Sequence, residues 1–537
     1  MDWKQAAEAP EKNAGSAHAD PGPRLTARAG VAGAAIITRV CHSLQDIGAA
    51  AWNTLAALQQ HPTPFMRHEY LAALEASGSA TPATGWAPRF LTLWQDSELV
   101  AACPLYLKDH SYGEYVFDWA WANAHAAHGL PYYPKAVVAV PFTPVPGTRL
   151  MARDAQARTA LVKALLAWCA SEGVSSLHVL FAADEDLDAC AQAGLMLRQT
   201  VQFHWTNMAP TLGTGVSSLP PEGALAALGR PGGGSVAPTP GTGVSSLPPE
   251  GALADLGRPG GGSVAPTLGT GVSSLPPEGA LAALGRPGSG SAPPTLGTGV
   301  SSRPSEDALA AVGSSPGGGS SVYRDFDDFL SHLSQDKRKK IRQERRRVRD
   351  AGVTFRWARG ADIPADDWDF FYRCYERTYL EHGNPPYLSR DFFHRMAAHM
   401  PEAWLLFIAE REGRPIASSL IAISAYSSSA QGQKDSGFVA YGRYWGALER
   451  VDCLHFEACY YQPLQWCIAH GVQRFEGGAQ GEHKMARALL PVATRSAHWL
   501  AHPAFADAVD RYLQHETAGM AQYLEHLQAR SPVRTRP

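Results

Sequence analysis

The sequence lacks long hydrophobic runs and a large net charge, since its formal charge at pH 7 is −3. No stretch of about 18 apolar residues occurs in its 537 positions, so no membrane-spanning helix is predicted. Lys and Arg number 47 against 50 Asp and Glu, and this balance excludes a general attraction to nucleic acid or to an anionic membrane. Residues 1–34 are small and polar, without the apolar core of a secretory signal, and are predicted to form a disordered tail.

Cysteine is also scarce, and no C-x-x-C pair is present. The eight cysteines are irregularly spaced: Cys41, Cys103, Cys169, Cys190, Cys374, Cys453, Cys459 and Cys467. This pattern favours reduced, packed thiols over a disulfide framework. Together with the lack of a signal segment, it predicts a soluble cytoplasmic protein.

Residues 209–322 form four near-copies of a 28-residue unit rich in Gly, Pro and Ser. Each unit offers only a short GALAAL stretch for burial, which is too little apolar surface to offset the entropy of ordering the unit. The insert is therefore predicted to be disordered, with a stacked array as the alternative. The flanks of the insert are predicted as a strand (194–208) and as helices (322–348). Because a long surface insertion costs little closure entropy, these flanks can be two parts of one connection in the fold.

Two stretches, residues 35–208 and 323–515, alternate between strand and helix patterns. Each contains a central hairpin, followed by a strand, a helix and a further strand. The predicted fold class is α+β (mixed α/β) in two domains, with a C-terminal helix and tail at 516–537.

Several long and unusual strings carry a resemblance to a known family. They are HSYGEYVFDWAWANAHAAHGLPYYPK (110–135), PFTPVPGTRLM (141–151), QFHWTN (202–207), YGRYWG (441–446), LHFEACYYQ (454–462) and GAQGEHKMAR (478–487). From about residue 36 to about 515, the insert excepted, the chain resembles the bacterial FemAB-like group of the GNAT acyltransferase superfamily. The resemblance implies tandem GNAT-like domains. The sequence departs from the family at Ala488 and Leu489, where Gly and Phe are expected, and Pro463 is predicted to kink a helix.

The resemblance also implies an N-acyltransferase related to the Fem peptidyltransferases, which move an aminoacyl group onto an amine of a cell-wall precursor. The donor would be acyl-CoA or an aminoacyl-tRNA, and the acceptor an amine of a small molecule or cell-wall precursor. The alternative function is a non-catalytic module that binds a cell-wall precursor or nucleic acid. No metal is expected, because the spacing of His455, Glu457, Glu482 and His483 matches no common zinc pattern.

Two segments with strand, loop and helix patterns are candidate donor sites, because loop amides before a helix favour the diphosphate of acyl-CoA. The candidate donor-binding residues are Thr143, Gly147 and Arg149 in the first segment and Gly442, Arg443 and Gly446 in the second. Neither segment has the Q/R-x-x-G-x-G/A signature of acetyl-CoA enzymes, and ordinary turns are the alternative interpretation.

Candidate catalytic residues lie in the C-terminal part. In Fem-type enzymes a lysine just after a Gly-rich stretch stabilises charge on the transferred carbonyl, and the resemblance assigns this role to Lys484. His455 and Glu457 begin a predicted helix, where a carboxylate with a raised pKa can accept the amine proton. Tyr461 is predicted to share the helical face of Glu457. The alternatives are a surface ion pair for Lys484 and a helix-end role for Glu457.

The substrate-binding candidates are Tyr112, Glu114, Asp118 and Trp119 in the first domain and Glu476, His483 and Arg487 in the second. In the first group, aromatic rings beside carboxylates suit a pocket for a sugar or peptide, and they suit a domain interface equally well. Residues 337–349 place nine cations against one acid, Glu344, on a predicted helix. Its charged face is either solvated or a ridge for the phosphates of a nucleotide, a lipid-linked precursor or a tRNA.

Overall fold

The structure is a computed structural model that describes residues 35–208, 322–428, 435–479 and 481–533. The predicted N-terminal tail, and the repeat insert up to residue 321, lie outside the described residues. The mixed α/β class predicted from the sequence is confirmed.

Strands and helices alternate in both halves of the chain. The strands are β1 Ile37–Cys41, β2 Ala87–Pro88, β3 Phe90–Gln95, β4 Glu98–Cys103, β5 Leu105–Lys108, β6 Lys135–Val138, β7 Met151–Ala152, β8 Ser176–Val179, β9 Met196–Thr206, β10 Val353–Arg359, β11 Trp404–Arg411, β12 Arg414–Ser428, β13 Asp435–Ala447, β14 Val472–Ala479 and β15 Leu490–Leu500. The helices are α1 Ala49–Ala57, α2 His68–Ala76, α3 Trp119–Ala127, α4 Ala155–Glu172, α5 Asp184–Gln192, α6 Phe326–Ser331, α7 Gln335–Asp350, α8 Ala365–Glu381, α9 Arg390–His399, α10 Leu454–Phe456, α11 Gln462–Ala469 and α12 Pro503–Ala529.

Local sequence signals explain where these elements begin and end. The Asp154 side chain accepts a hydrogen bond from the Ala157 N–H at 2.8 Å and so caps the start of α4. Gly173 adopts a φ of 66° and ends that helix, as the sequence predicts. Pro104 separates β4 from β5, because it has no N–H to donate to a ladder. At this point the sheet of the first half divides into the four-stranded order β1-β3-β4-β7 and the large sheet that contains β5.

The large sheet has the strand order β10-β11-β12-β13-β14-β9-β15-β8-β6-β5-β2. Strand β9 belongs to the first half of the chain, but it lies between β14 and β15 of the second half. In turn, β15 lies between β8 and β9, with His498 opposite His178. Each half therefore donates one strand to the other, and a single continuous sheet joins them.

The two halves also share a hydrophobic core. One cluster combines buried residues of α1 and α2 with buried residues of α8, α9, β12 and β13. The rings of Phe65 and Tyr441 meet edge to face at 5.3 Å, as do those of Tyr70 and Phe392. The halves are consequently held together by packing as well as by strand pairing.

The chain leaves and re-enters the fold at neighbouring points on either side of the insert. Trp205 near the end of β9 stacks on Tyr323 just before α6, with ring centroids 6.2 Å apart. The flanking strand and helices predicted from the sequence are observed as β9, α6 and α7. Their adjacency fits the prediction that the flanks belong to one connection.

The C-terminal helix is longer than predicted. The predicted boundary between the second domain and the C-terminal helix, at residue 515, falls inside α12. This helix begins at Pro503, and proline is suited to the first turn of a helix. Arg198 of β9 forms an ion pair with Glu516 at 2.8 Å, so α12 is attached to the exchanged strand. Among the described residues, no helix combines the length and the apolar character needed to cross a membrane.

Candidate functional site

The parallel strands β13 and β14 part in the middle of the large sheet. Four residue pairs join them, and the last pair is Tyr441 with Glu476. Beyond it β13 continues beside β12, while β14 continues beside β9. We call this parting the β13–β14 fork. Backbone groups that lose a strand partner at such a fork can bind a ligand instead.

Lys484 lies at the β14 side of the fork. It belongs to a tight 3₁₀ turn, Glu482–Arg487, and its ammonium group donates to the carbonyl of Gly478 at 3.3 Å. A Cβ on Gly477 would collide with the Leu489 side chain and with the Phe203 carbonyl, so the glycine lets these groups pack closely on the strand that leads to the Lys484 turn. Burial lowers the pKa of Lys484 to about 8, although the nearby Cys459 thiol acts in the opposite direction.

Glu476 occupies the last paired position of the fork and is buried. One of its oxygens accepts from Arg474 at 2.9 Å. The other, Oε2, has no hydrogen-bond partner among the residues described, and His204 Nε2 lies 3.9 Å from it. Burial raises the pKa of Glu476 to about 7 against the opposing charges of Arg474, Arg443 and Arg149. This carboxyl group is therefore poised to exchange a proton near neutral pH.

Pro463 affects the helix after β13 differently from the predicted kink. Residues Glu457–Tyr461 form a π turn between α10 and α11, and the Gln462 N–H donates to the carbonyl of Glu457. A proline near this position cannot donate its own N–H, and the wider turn redistributes the hydrogen bonds around it. The side chains that follow are shifted relative to a regular α-helix.

Glu457 and Tyr461, which are predicted to share a helical face, both contact α7. Glu457 accepts from Arg345 of α7 at 3.0 Å and from Gln462 at 2.8 Å, five residues along the π turn. Tyr461 instead donates to Glu344 of α7. Both side chains thus fasten α7 to the π turn, and Glu457 is engaged as the partner of an arginine.

His455 and the end of the 3₁₀ turn form a second group of polar side chains. His455 Nδ1 lies 3.6 Å from Cys459 Sγ. Burial lowers the pKa of His455 to about 3, and the charges of His483, Arg487 and Lys484 act in the same direction. The imidazole of His455 is therefore neutral at physiological pH. His483 is exposed, whereas Arg487 is buried over the ring of Phe456 and forms an ion pair with Glu344 at 3.0 Å.

The first predicted donor loop does not expose free amides. The N–H of Gly147 donates to Phe181, and the N–H of Arg149 donates to the Asp186 carboxylate at 2.6 Å. The Arg149 guanidinium turns back onto carbonyls of its own loop, and Thr143 bonds to Tyr70 at 3.1 Å. The donor role predicted for Thr143, Gly147 and Arg149 is not supported, because the backbone N–H groups of Gly147 and Arg149 and the Thr143 hydroxyl are used within the protein.

The second predicted donor segment is a strand. Gly442, Arg443 and Gly446 all lie within β13, which runs to Ala447. A Cβ on Gly446 would collide with the backbone of Cys374 in α8, so this glycine permits close packing of the helix on the strand. Arg443 reaches into the first half and donates to the Phe142 carbonyl at 2.9 Å. These residues brace the two halves, and the loop before α10 starts only at residue 448.

The first-domain cluster is a buried ion network. Lys135 donates to Glu114 at 2.8 Å and also to Asp118, and all three side chains are fully buried. Burial raises the pKa of Glu114 to about 7. The ring of Trp119 meets the exposed Tyr112 edge to face at 5.0 Å. Because Lys135 occupies both carboxylates, the predicted sugar or peptide pocket is not formed by these residues.

The basic helix α7 borders a cavity of about 330 Å³ beside the loop that precedes α10. Its lining residues are Asp336, Lys339, Lys340, Gln343, Glu344, Arg347 and Cys453. Three of them are cations, and Lys339, Lys340 and Arg347 are exposed. Glu344 connects this cavity to Arg487 and hence to the turn that carries Lys484.

Three residues of this region escaped sequence reasoning: His204, Arg474 and Cys453. The alternation of the QFHWTN string indicated that residue 204 lies on a strand, but not that the strand joins the second half. Cys453 carries no sequence signal beyond its place among the eight irregularly spaced cysteines. Among the described residues, no group of three or more His, Cys, Asp or Glu side chains is arranged to hold a metal ion.

Comparisons with solved structures give several distant neighbours. FemX covers 88% of this chain and 100% of its own, at 8% identity and a TM-score of 0.42. L-PGS from Bacillus licheniformis covers 85% of this chain and 98% of its own, at 10% identity and a TM-score of 0.37. A tandem GNAT protein from the clavulanic acid biosynthesis pathway covers 87% and 99%, at 11% identity and a TM-score of 0.35. A search of curated proteins finds no match.

The sequence profile of one family matches most of the chain. The matched residues are 43–211 and 319–535, which lie on both sides of the insert and include the fork, Lys484 and Glu476. The family is described as peptidoglycan biosynthesis/recognition. The chain therefore belongs to the FemAB-like family.

Proposed function

We propose that the protein is an N-acyltransferase that moves an acyl or aminoacyl group from a thioester or a tRNA ester to a primary amine of a peptidoglycan precursor. The observation that carries this proposal is the β13–β14 fork, where a buried lysine and a buried carboxyl group with opposite pKa shifts lie on and beside one strand. Family membership supports the class of acceptor.

The two groups divide the chemistry between them. The Lys484 ammonium stabilises the oxyanion that forms when the amine nitrogen attacks the donor carbonyl. Glu476, through its unpartnered Oε2, accepts the proton that the amine loses. The carbon–sulfur or carbon–oxygen bond of the donor then breaks, the leaving group takes up the proton, and an amide remains.

Direct transfer is favoured over a covalent enzyme intermediate. Cys459 is the thiol near Lys484, and burial raises the pKa of this thiol to about 12, so it is neutral at physiological pH. The adjacent His455 has a pKa lowered to about 3 and is too weak a base to ionise that thiol. We therefore assign His455 a packing role beside the fork and expect no acyl group on Cys459.

The cavity beside α7 supplies a place for the phosphates of the donor. Acyl-CoA and aminoacyl-tRNA both carry phosphate groups, and lysine and arginine are their usual partners in proteins. The cations of the cavity lie on the side of α7 that faces the loop before α10. The ion pair between Glu344 and Arg487 connects the cavity proposed for phosphate to the turn that carries Lys484, which supports this proposal.

Neutralising the cavity is expected to weaken donor binding selectively. The combined change Lys339→Gln, Lys340→Gln and Arg347→Gln should lower the affinity for a phosphate-bearing donor by about tenfold or more at low salt. The affinity should also fall less steeply as the salt concentration increases. The reason is that fewer lysine and arginine side chains contact phosphate, so fewer salt counterions are released on binding. Binding of labelled acyl-CoA and aminoacyl-tRNA over a salt series measures both effects.

A matched control exists on the same helix. Arg342→Gln, Arg346→Gln and Arg349→Gln remove the same charge from exposed positions that do not line the cavity. Equal loss of affinity in both triple variants would show that only the overall charge of α7 matters, and that the cavity is not the phosphate site.

The proposed reaction is tested with the full chain by mass spectrometry. The protein is incubated with acyl-CoAs, charged tRNAs and amine acceptors, including a lysine-containing precursor peptide, and products are identified by mass. An acylated amine with unmodified Cys459 is the expected result. Binding of precursor without any product across the panel would favour the non-catalytic recognition module instead.

A further inference from the structure

Strand β9 brings two buried polar side chains of the first half next to Glu476. His204 is the direct cross-strand neighbour of Glu476, and Gln202 lies two residues earlier on the same face of β9. Neither side chain was assigned a role from the sequence. Their hydrogen bonds form a short chain that begins on the loop between β6 and β7.

The direction of these hydrogen bonds follows from one fixed acceptor. Gln202 Nε2 donates to the Pro144 carbonyl at 2.8 Å, and a carbonyl can only accept, so the amide nitrogen must face Pro144. The amide oxygen then faces His204 Nε2 at 3.3 Å. Since that oxygen also can only accept, His204 must carry its hydrogen on Nε2. The same nitrogen lies 3.9 Å from Glu476 Oε2.

The loop that holds Gln202 also holds a second neighbour of Glu476. Arg443 donates to the Phe142 carbonyl at 2.9 Å and to Thr143 Oγ1 at 3.3 Å. One short loop of the first half therefore anchors both the amide that orients His204 and an arginine whose charge acts on Glu476.

We propose that Gln202 is a positioning residue that fixes His204 with its Nε2–H beside the Glu476 carboxylate, so that the first half completes the active site of the second. The inference rests on the proposed function, in which Glu476 accepts the amine proton. The first predicted donor loop then has a different role, because it orients the site from behind and does not hold the donor.

Charged and titratable groups around Glu476 all affect the pH at which it ionises. They come from every element packed around it: Arg474 on β14, His204 on β9, Tyr441 and Arg443 on β13, and Arg149 on the loop before β7. The arginine charges favour the ionised carboxylate against the larger opposing effect of burial, and the oriented N–H of His204 acts in the same direction as the arginines. Loss of that orientation should raise the pH at which Glu476 becomes a base.

Gln202→Met keeps the length of the side chain and removes both hydrogen bonds. The expected result is a shift of the acid limb of the kcat/KM profile to higher pH by about 0.5 unit, with kcat at the optimum lowered by up to about tenfold. Donor KM should stay unchanged, because the phosphate cavity is untouched. The control is Gln59→Met, which also removes hydrogen bonds of a buried amide, to Leu55 and Ala152, but lies away from the fork.

Nitrogen NMR of ¹⁵N-histidine protein supplies a readout that does not depend on activity. The His204 signals are assigned by their loss in His204→Asn. Wild-type protein should show His204 protonated on Nε2, and observation of the Nδ1–H form would overturn the inference even if the Met variant failed to fold. An unchanged Nε2–H signal and an unchanged acid limb in Gln202→Met would also overturn it. A changed tautomer without any movement of the limb would instead contradict the role of Glu476 in the proposed function.

Discussion

Lys484→Met is expected to lower kcat by about 10²–10³-fold, which is the usual cost of removing one preorganised donor to an oxyanion. The ammonium is buried at the fork and its contact with the Gly478 carbonyl holds it in place before substrate arrives. Methionine preserves the length of the stem that packs on Gly477. The KM for the donor should change little, since the interaction strengthens only as negative charge develops. Single-turnover rates with saturating donor measure the effect.

Lys108→Met is a matched control for this result. Lys108 is also a buried lysine whose pKa is lowered by burial, to about 7, but it lies in the first half over the ring of Trp86. Its replacement should leave kcat unchanged. If Lys484→Met retained full turnover, or if both variants lost it equally, Lys484 would not be the stabilising cation.

Glu476→Gln is expected to lower kcat/KM by about 10²–10⁴-fold at neutral pH, the range typical for loss of a general base. The amide has nearly the same shape as the carboxyl group but cannot accept the proton. Glu457→Gln serves for comparison, because Glu457 is engaged by Arg345 and should show a smaller loss. A larger loss in Glu457→Gln than in Glu476→Gln would reverse the assignment of the base.

The same two groups predict a bell-shaped pH profile for the wild-type protein. Glu476 must be ionised, so activity rises as pH increases through its pKa of about 7. Lys484 must be protonated, so activity falls as pH increases through its pKa of about 8. The optimum of kcat/KM is expected between these values, and Glu476→Gln should remove the acid limb. A flat profile from about pH 6 to 9 would contradict both assignments.

Periodicity predicted the individual elements well, since the hairpins, helix α4 and strands β6 and β8 follow directly from apolar spacing. It could not predict the exchange of β9 and β15, because alternation shows which face of a strand is buried and not which strand lies beside it. Glu476, His204 and Gln202 meet only through that exchange. The central part of the site could for this reason not be predicted from the sequence alone.

The second predicted donor segment is part of strand β13, and the first predicted donor loop is a different case. A loop rich in Gly and Pro has the same sequence pattern whether its amides are free or already bonded. In this protein Asp186 and Arg149, one on α5 and one in the loop, satisfy the loop from within. Glu457 is engaged by Arg345 of α7, a contact between distant segments that the 3.6-residue period of a single helix does not contain.

The backbone conformation at residue 488 explains why the family resemblance predicts glycine there. Ala488 stands where the family resemblance predicts glycine, and it adopts a φ of 59°, a left-handed conformation that glycine adopts without strain. Leu489, which follows it, is fully buried. The expectation of glycine at 488 thus reflects the backbone geometry of the turn that carries Lys484.

The reciprocal placement of β9 and β15 affects how such a protein is made and inherited. A nascent chain that has not yet delivered β15 leaves β8 and β9 with open edges, and open edges invite pairing with other chains. The edge of β8 and one edge of β9 are therefore covered only after β15 has been synthesised. A truncation before residue 490 is expected to expose both edges, although the two halves look like separate modules.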